Sequence, residues 1–513
     1  MKLNELMQAI PVFTGEASET IEISHIAQDS RKVKPGTLFI CIDGELVDGH
    51  QFASRAVELG AVAIIAEKQL DVSIPVIYVR DSKRAMAMLA DYFYGSPTQA
   101  LKLVGITGTN GKTTVSHLVE QIVRENGEQT GLIGTMYRKI GDQILETKNT
   151  TPDSLTLQET FRDMLLSGVS TAVMEVSSHA LVQGRVYGSD YDVAVFMNLS
   201  QDHLDYHHTM EEYANAKSLL FAQLGNSYHT SNPKIAVLNA DDEESVRMQK
   251  ATAAHVITFG IKQQADFKAS NIRITSHGST FDLRTPIGNF TLKIKMIGNF
   301  SVYNVLAAIA TSFALHIPME KAIKTVESIP GVKGRFELVH AGQEFPVIVD
   351  YAHTPDGLLN VLETIAEFAE KRVFVVVGCG GDRDKGKRPQ MAKIAVDYAT
   401  NPIFTSDNPR SENPRAIIED MIQGVPYSDS YVVHENRRDA IRFAVNEAEA
   451  GDVILIAGKG HEDYQVIGDE VIDFDDRVEA RIAIRKKTWT RIKYEVKCFD
   501  KQIGENLLCL YTC

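Results

Sequence analysis

The chain holds 513 residues, more than one hydrophobic core sustains, so two or three domains are expected. Apolar residues make up 44% and charged residues 23%, a soluble globular composition that excludes a disordered or fibrous chain. A net charge of −14 opposes a general nucleic-acid or anionic-membrane surface, though not a local basic pocket for an anionic nucleotide.

The N-terminal MKLNELMQAIPVF lacks the basic start, apolar stretch and small-residue cleavage site of a signal peptide. No apolar run reaches the ~18 residues of a membrane span. The five cysteines, at 41, 379, 498, 509 and 513, suit neither a disulfide framework nor a zinc site. A cytoplasmic protein is expected, with no nucleic-acid partner and no membrane insertion.

Residues 1–98 carry short apolar runs, TLFICI at 37–42 and AVAIIA at 61–66, around a helical stretch at 50–59, which reads as a small α/β unit. Gly95-Ser96-Pro97-Thr98 reads as a linker. A second segment, 99–330, alternates strands (101–106, 171–176, 192–198, 235–239) with helices, the pattern of a mostly parallel sheet with covered faces. A third, 331–484, has strands at 347–350, 373–377, 402–405 and 453–457 with helices between, implying a second, doubly wound sheet. Ligands bind such sheets at the carboxyl ends of the strands.

GITGTNGKTT (105–114) follows a strand and opens a helix. Glycines there let backbone amides reach phosphate oxygens, and the helix N-terminus adds positive partial charge. Lys112 would neutralise β/γ oxygens and Thr113 could ligate magnesium. The common motif wants Gly six residues before Lys, where Ile106 stands, so a plain tight turn is the alternative. The Asn-Lys-x-Asp motif of GTPases is absent.

Glu175 ends a strand in MEVSSHAL and suits a magnesium or water-orienting role. Asp202, His203, Asp205 and His207 lie just after another strand, and a solvated, helix-capping acidic loop explains them equally well. Lys217, in a helical stretch, reads as a surface lysine. Asp350 ends a strand and could accept hydrogen bonds from a ribose. Arg383, Lys385, Lys387 and Arg388 suit phosphate or carboxylate recognition, though such a charge run is also an ordinary solvated loop. Arg410 sits in a Pro-stiffened turn suited to gripping a carboxylate, and Glu462, beside Lys459 and His461, could receive an ammonium. Four successive strand-end loops of this kind favour a site.

TGTNGKTT, MEVSSHAL, DHLDYH, GNFSVYN, GRFE, VDYAHTPD, GCGGDRDKGKRP, DNPR and GKGHE occur in this order, and over residues 1–484 the chain resembles the Mur ligases. The resemblance implies three domains: a small N-terminal UDP-substrate-binding α/β domain (1–98), a central P-loop parallel-sheet ATPase domain (99–330) and a C-terminal Rossmann-like amino-acid-binding domain (331–484). It implies a monomeric ligase that uses ATP and magnesium to form an amide bond in peptidoglycan precursor synthesis. Gly108, Thr109, Asn110, Gly111, Lys112, Thr113, Thr114, Asn304, Arg335 and Asp350 match nucleotide positions. Lys112, Glu175, His203 and Lys217 match catalytic positions, and Thr113, Glu175, His203 and a carbamylated Lys217 match metal positions. Ser30, Thr150, Thr151, Ser177, Gln183 and Arg185 match contacts to a UDP-muramoyl-dipeptide. Arg383, Asp407, Asn408, Pro409, Arg410, Gly458 and Glu462 match a diaminopimelate pocket. L-Lysine as amino acid, or a folylpolyglutamate-synthase-like reaction, are the alternatives. The segment 485–513 departs from the family and holds three of the five cysteines; no role is assigned to it.

Overall fold

The computed structural model describes residues 1–44, 47–225, 232–426 and 430–488, apart from the side chain of Asp205. The apolar runs become strands of three successive sheets, and the intervening stretches become the helices that cover them.

The first sheet has four parallel strands in sequence order, His25–Ala27, Thr37–Ile40, Ala61–Ala66 and Val76–Tyr78. The stretch expected to be helical at 50–59 is split. The Asp48 side chain accepts from the His50 N–H at 3.0 Å and sets up a 3-10 turn, Gly49–Phe52, before the α-helix Ala53–Glu58 begins. The linker at 95–98 takes its bend from Ser96, in the left-handed region at φ 48°, with Pro97 opening a short 3-10 helix.

The middle sheet has eleven strands. Its parallel centre runs His255–Gly260, Ile235–Asn239, Val193–Phe196, Lys102–Thr107, Thr171–Glu175, Thr130–Ile133. Both margins differ from the mostly parallel expectation. Phe267–Thr275, Gly278–Thr285 and Gly288–Ile294 form an antiparallel meander at one edge, and Arg138–Ile140 and Gln143–Leu145 extend the other. These strands are half-exposed and polar on one face, so they lack the continuous apolar runs that mark the centre. Helices Lys112–Glu125 and Asn299–Ala314 pack Leu118, Ile122, Val305 and Ile309 on one face, and Phe161, Met164, Leu220 and Phe221 fill the other.

The third sheet is ordered Glu337–Leu338, Val347–Asp350, Val453–Ala457, Val373–Val377, Asn401–Phe404, Val432–Val433, parallel except at its first strand. Helices Pro355–Ala366, Lys387–Tyr398 and Pro414–Ile422 cover one face through Leu362, Met391 and Ile418. Helix Arg437–Glu447 and a helix at 476–488 cover the other through Ile441, Val445, Ala480 and Ala483. That is a doubly wound arrangement. The last helix continues past 484, and Lys487 Nζ donates to the carbonyls of Val445 and Asn446 at 3.0 and 2.9 Å. The remainder of the atypical tail lies outside the described residues. No helix among the described residues is long and apolar enough to cross a membrane.

Candidate active site

The strand Lys102–Thr107 ends at the phosphate loop, and two of its glycines are required by geometry. Gly108 (φ 150°) lies so close to the next strand that a Cβ would sit 2.8 Å from Met197 Cβ. Gly111 (φ 89°) caps the helix Lys112–Glu125, and a Cβ there would sit 2.6 Å from Asn304 Oδ1. The loop is anchored by the neighbouring strand end: Thr109 N donates to Asn198 O at 2.9 Å and Asn110 N to Asn198 Oδ1 at 2.9 Å. Lys112 folds back, donating to the carbonyls of Gly108 and Thr109, both at 2.8 Å. Burial holds its ammonium below the ordinary value, against the pull of Glu175 and Asp202. Thr114 is buried in the first turn of the helix.

Glu175 is 1% exposed and accepts three hydrogen bonds: from Thr113 Oγ1 (2.9 Å), Thr135 N (2.9 Å) and Thr135 Oγ1 (3.0 Å). Thr135 was not foreseen, although it too follows a strand end, Thr130–Ile133. Around the same edge lie five of the six positions matched to the UDP-linked substrate. Thr150 Oγ1 pairs with Thr135 Oγ1 (3.0 Å), and Thr151 Oγ1 donates to Glu175 O (2.8 Å) and accepts from Ser177 N (3.0 Å). Arg185 donates to Thr151 O (3.0 Å) and to Gln183 Oε1 (2.9 and 2.6 Å). Ser30 belongs to the first domain, in the turn Ser30–Lys32, whose Lys32 acts on the charge of Glu159 in helix Ser154–Leu166.

The surface-lysine reading of Lys217 is overturned. It is 1% exposed, its Nζ donates to Gly108 O at 2.9 Å, and it lies 4.3 Å from the Tyr213 ring centroid. Burial, reinforced by Lys112, pushes its ammonium well below the usual lysine range. His203 stands at a left-handed position (φ 54°) at the start of the turn Leu204–His207, with its side chain 46% exposed and Nε2 3.4 Å from Asp202 Oδ2. Its ring packs edge-on against His179. Among the described residues no group of three His, Cys, Asp or Glu forms a metal cage.

Arg335 crosses from the third domain to the phosphate loop, donating from Nη2 to Thr113 Oγ1 at 3.1 Å while its guanidinium lies 4.5 Å from the Tyr351 ring centroid. Gly334 is held at φ 66° because a Cβ would fall 2.0 Å from His461 N. Asp350 accepts from Phe336 N at 2.7 Å, and burial raises its carboxyl above the usual value, with Arg335 opposing. Asp350 thus braces the loop that carries Arg335.

In the third domain, Asn408, Lys459 and Glu462 interlock. Lys459, fully buried, donates to Asn408 Oδ1 (3.1 Å) and Glu462 Oε2 (2.9 Å), and Asn408 Nδ2 donates to the same Glu462 oxygen (2.9 Å). Gly458 (φ 116°) backs onto Asp407, whose Oδ2 a Cβ would meet at 2.7 Å. Arg410, after Pro409, is itself left-handed (φ 51°) and donates from Nη1 to Gly381 O at 2.8 Å. Arg388 departs from the expected ligand-facing run. It is 0% exposed, clamped by Glu412 (2.8 and 3.0 Å) and Asp420 (2.8 Å), and it fixes the glycine-rich loop. Arg383 and Lys387 do face the cleft.

That cleft, of about 1100 Å³, lies between the middle and third domains. Thr135, Tyr137, Asp202 and His203 line one wall; His353, Arg383, Asn408, Arg410 and Glu462 line the other. The cleft thus runs between strand-end loops of the middle domain and the charged loops of the third.

Residues 106–312 match the Mur ligase middle domain, 334–460 the Mur ligase glutamate ligase domain, and 22–94 the Mur ligase family catalytic domain. The chain is 96% identical over 487 residues to a Listeria monocytogenes protein named UDP-N-acetylmuramoyl-L-alanyl-D-glutamate--2,6-diaminopimelate ligase, covering 95% of this chain and 99% of that one. A Bacillus licheniformis protein of the same name is 58% identical, covering 94% and 99%. A solved structure of a ligase of that name superimposes with a TM-score of 0.69 at 35% identity, covering 94% of this chain and 99% of that one. The chain belongs to the Mur ligase family.

Proposed function

We propose that the protein joins meso-2,6-diaminopimelate to the D-glutamyl γ-carboxylate of UDP-N-acetylmuramoyl-L-alanyl-D-glutamate, converting ATP to ADP and phosphate. The names of the relatives support the substrates. The observation that carries the chemistry is the 3.1 Å contact of Arg335 Nη2 with Thr113 Oγ1, which joins the phosphate loop to the third domain, whose side of the cleft carries Arg383, Asn408, Arg410 and Glu462.

A carboxylate is a poor acylating agent. Transfer of the γ-phosphoryl group to it gives an acyl phosphate, which the diaminopimelate amine attacks with loss of phosphate. Lys112 would leave the carbonyls of Gly108 and Thr109 to meet the phosphates, and the loop amides and Asn304, Arg335 and Asp350 would hold the nucleotide. Ser30, Thr150, Thr151, Ser177, Gln183 and Arg185 would hold the UDP-linked substrate.

The oxygen donors of Glu175 and Thr113, with few other protein ligands nearby, fit magnesium, which keeps much of its shell as water and phosphate. When bound, it would neutralise charge on the transferring group. His203 stands on the same wall. Lys217, its amine favoured in the neutral form that adds carbon dioxide, would supply a carboxylate there once carbamylated.

Arg383, Asp407, Asn408, Pro409, Arg410, Gly458 and Glu462 would form the amino-acid pocket. Arg410 can exchange the carbonyl of Gly381 for the second carboxylate of diaminopimelate. L-Lysine lacks that group and leaves the cation poorly matched, a penalty of a few kcal/mol, about a hundredfold in selectivity.

Purified protein given the UDP-linked dipeptide, ATP, magnesium and either amino acid should yield the diaminopimelate adduct by mass spectrometry and little lysine adduct. Lys112→Ala should abolish acyl-phosphate formation; near-normal turnover in that variant would defeat the scheme.

A further inference from the structure

The cleft holds a histidine to which none of these roles is given. His353 follows strand Val347–Asp350 and is open to the cleft water. Its Nδ1 lies 2.8 Å from Tyr351 O. A carbonyl oxygen only accepts, so Nδ1 carries the proton and Nε2 presents a lone pair. Nε2 has no hydrogen-bond partner among the described residues. The ring is held by edge contact with Tyr351, centroids 4.6 Å apart, and its backbone carbonyl accepts from Lys387 Nζ at 2.9 Å. The imidazole is thus fixed in tautomer and placed on the wall that also carries Asn408, Arg410 and Glu462, opposite Asp202 and His203.

Resting on the ligase reading above, we propose that His353 is the base that takes the proton from the attacking amine. The amino acid arrives as an ammonium, which has no lone pair to attack with. Nε2 accepts one proton while the freed nitrogen pair forms the C–N bond to the acyl-phosphate carbonyl carbon. When the tetrahedral intermediate collapses, the C–O bond to phosphorus breaks with its electron pair on phosphate, and the second proton leaves the nitrogen with that phosphate. The imidazolium then returns its proton to cleft water.

The charges around the ring suit the task. Although the ring reaches the cleft surface, desolvation by the surrounding walls, then Lys387 and Arg335, lower His353 to about 4, against the bond to Tyr351 O and the charge of Asp202. The anionic substrates of the proposed reaction, once bound near this ring, would add to the Asp202 effect and make Nε2 more basic. His461, stacked on the other side of Tyr351 at 5.0 Å, has no such counterweight. Burial lowers it to about 3, and Arg335, Arg477, Lys333 and His117 all act in the same direction. It is the weaker candidate for holding a proton.

The test separates amine attack from everything before it. His353→Asn retains a donor for Tyr351 O but has no basic nitrogen. Hydroxylamine, already unprotonated at neutral pH, traps the acyl phosphate as a hydroxamate without needing a base. The variant should lose about a hundredfold in turnover with diaminopimelate yet form hydroxamate within about twofold of the wild-type rate. Its diaminopimelate turnover should climb toward wild type as rising pH delivers more free amine. Equal losses with both nucleophiles, or unchanged diaminopimelate turnover, would overturn the proposal. Absence of hydroxamate from the wild-type enzyme with ATP and the UDP-linked dipeptide would instead overturn the ligase reading beneath it.

Discussion

The phosphate loop and the third domain hold their buried cations in opposite ways. At the loop that follows strand Lys102–Thr107, Lys112 and Lys217 both donate to Gly108 O, and neither forms a salt bridge among the described residues. In the third domain, Lys459 pairs directly with Glu462, with Asn408 bonded to both, and Arg388 is clamped by two carboxylates. Buried charge without a counter-ion is costly, and burial accordingly lowers both ammonium groups at the loop, Lys217 the further. The buried cations of the third domain are neutralised in advance, while the cleft-facing Arg410 donates only to backbone carbonyls. Affinity for phosphate and selectivity among amino acids are thereby assigned to different halves of the molecule.

The sharpest way to break this contrast is Lys217→Met. Turnover should fall by about a thousandfold, since a group facing the transferring phosphoryl is lost. The fold should become more stable, because a thioether suits the buried site better than an amine. The sign follows from the lowered ammonium: below the ordinary lysine value near 10.4 the unfolded chain binds more protons, so wild-type stability rises with pH. In bicarbonate-free buffer the Tm advantage of the variant should therefore shrink between neutral pH and about pH 10. A gap that stays constant by calorimetry would contradict the unpaired amine. Arg410→Ala comes next: with both amino acids present, the preference for diaminopimelate over L-lysine should drop about a hundredfold in the product ratio. Smallest for turnover is Arg388→Met. It leaves Asp420 without its partner and Glu412 with only Lys385 at 3.3 Å as an ion-pair partner, and because both are partly exposed the loss should be about 2 kcal/mol in denaturant unfolding. Residual turnover within about threefold of wild type would place Arg388 outside ligand binding, and a larger loss in an otherwise stable variant would return it to the site.

Strand ends were the most legible feature of the sequence. Ile235–Asn239, Val347–Asp350, Val373–Val377 and Val453–Ala457 fall where their apolar runs place them, because strands buried on both faces show no polar interruption. Charged residues inside helices were misread. Lys217 and Arg388 look solvated as letters, yet each is in phase with a buried stripe: Tyr213, Lys217, Leu220 in one helix, Arg388, Met391, Ala395 in the other. That spacing was available and would have placed both inside. Thr135 and the Arg335–Thr113 contact were not legible, since they join strands and domains whose order no local pattern states.

That last contact bears on how quickly the enzyme turns over. A single hydroxyl, Thr113 Oγ1, gives its proton to Glu175 and receives one from Arg335, a residue 222 positions along the chain. A hydrogen bond from a charged guanidinium contributes about 1.5–3 kcal/mol, a few times the thermal energy. It is a catch that registers the third domain against the phosphate loop without trapping it, so separation of the domains is not slowed at this point and spent nucleotide has a way out.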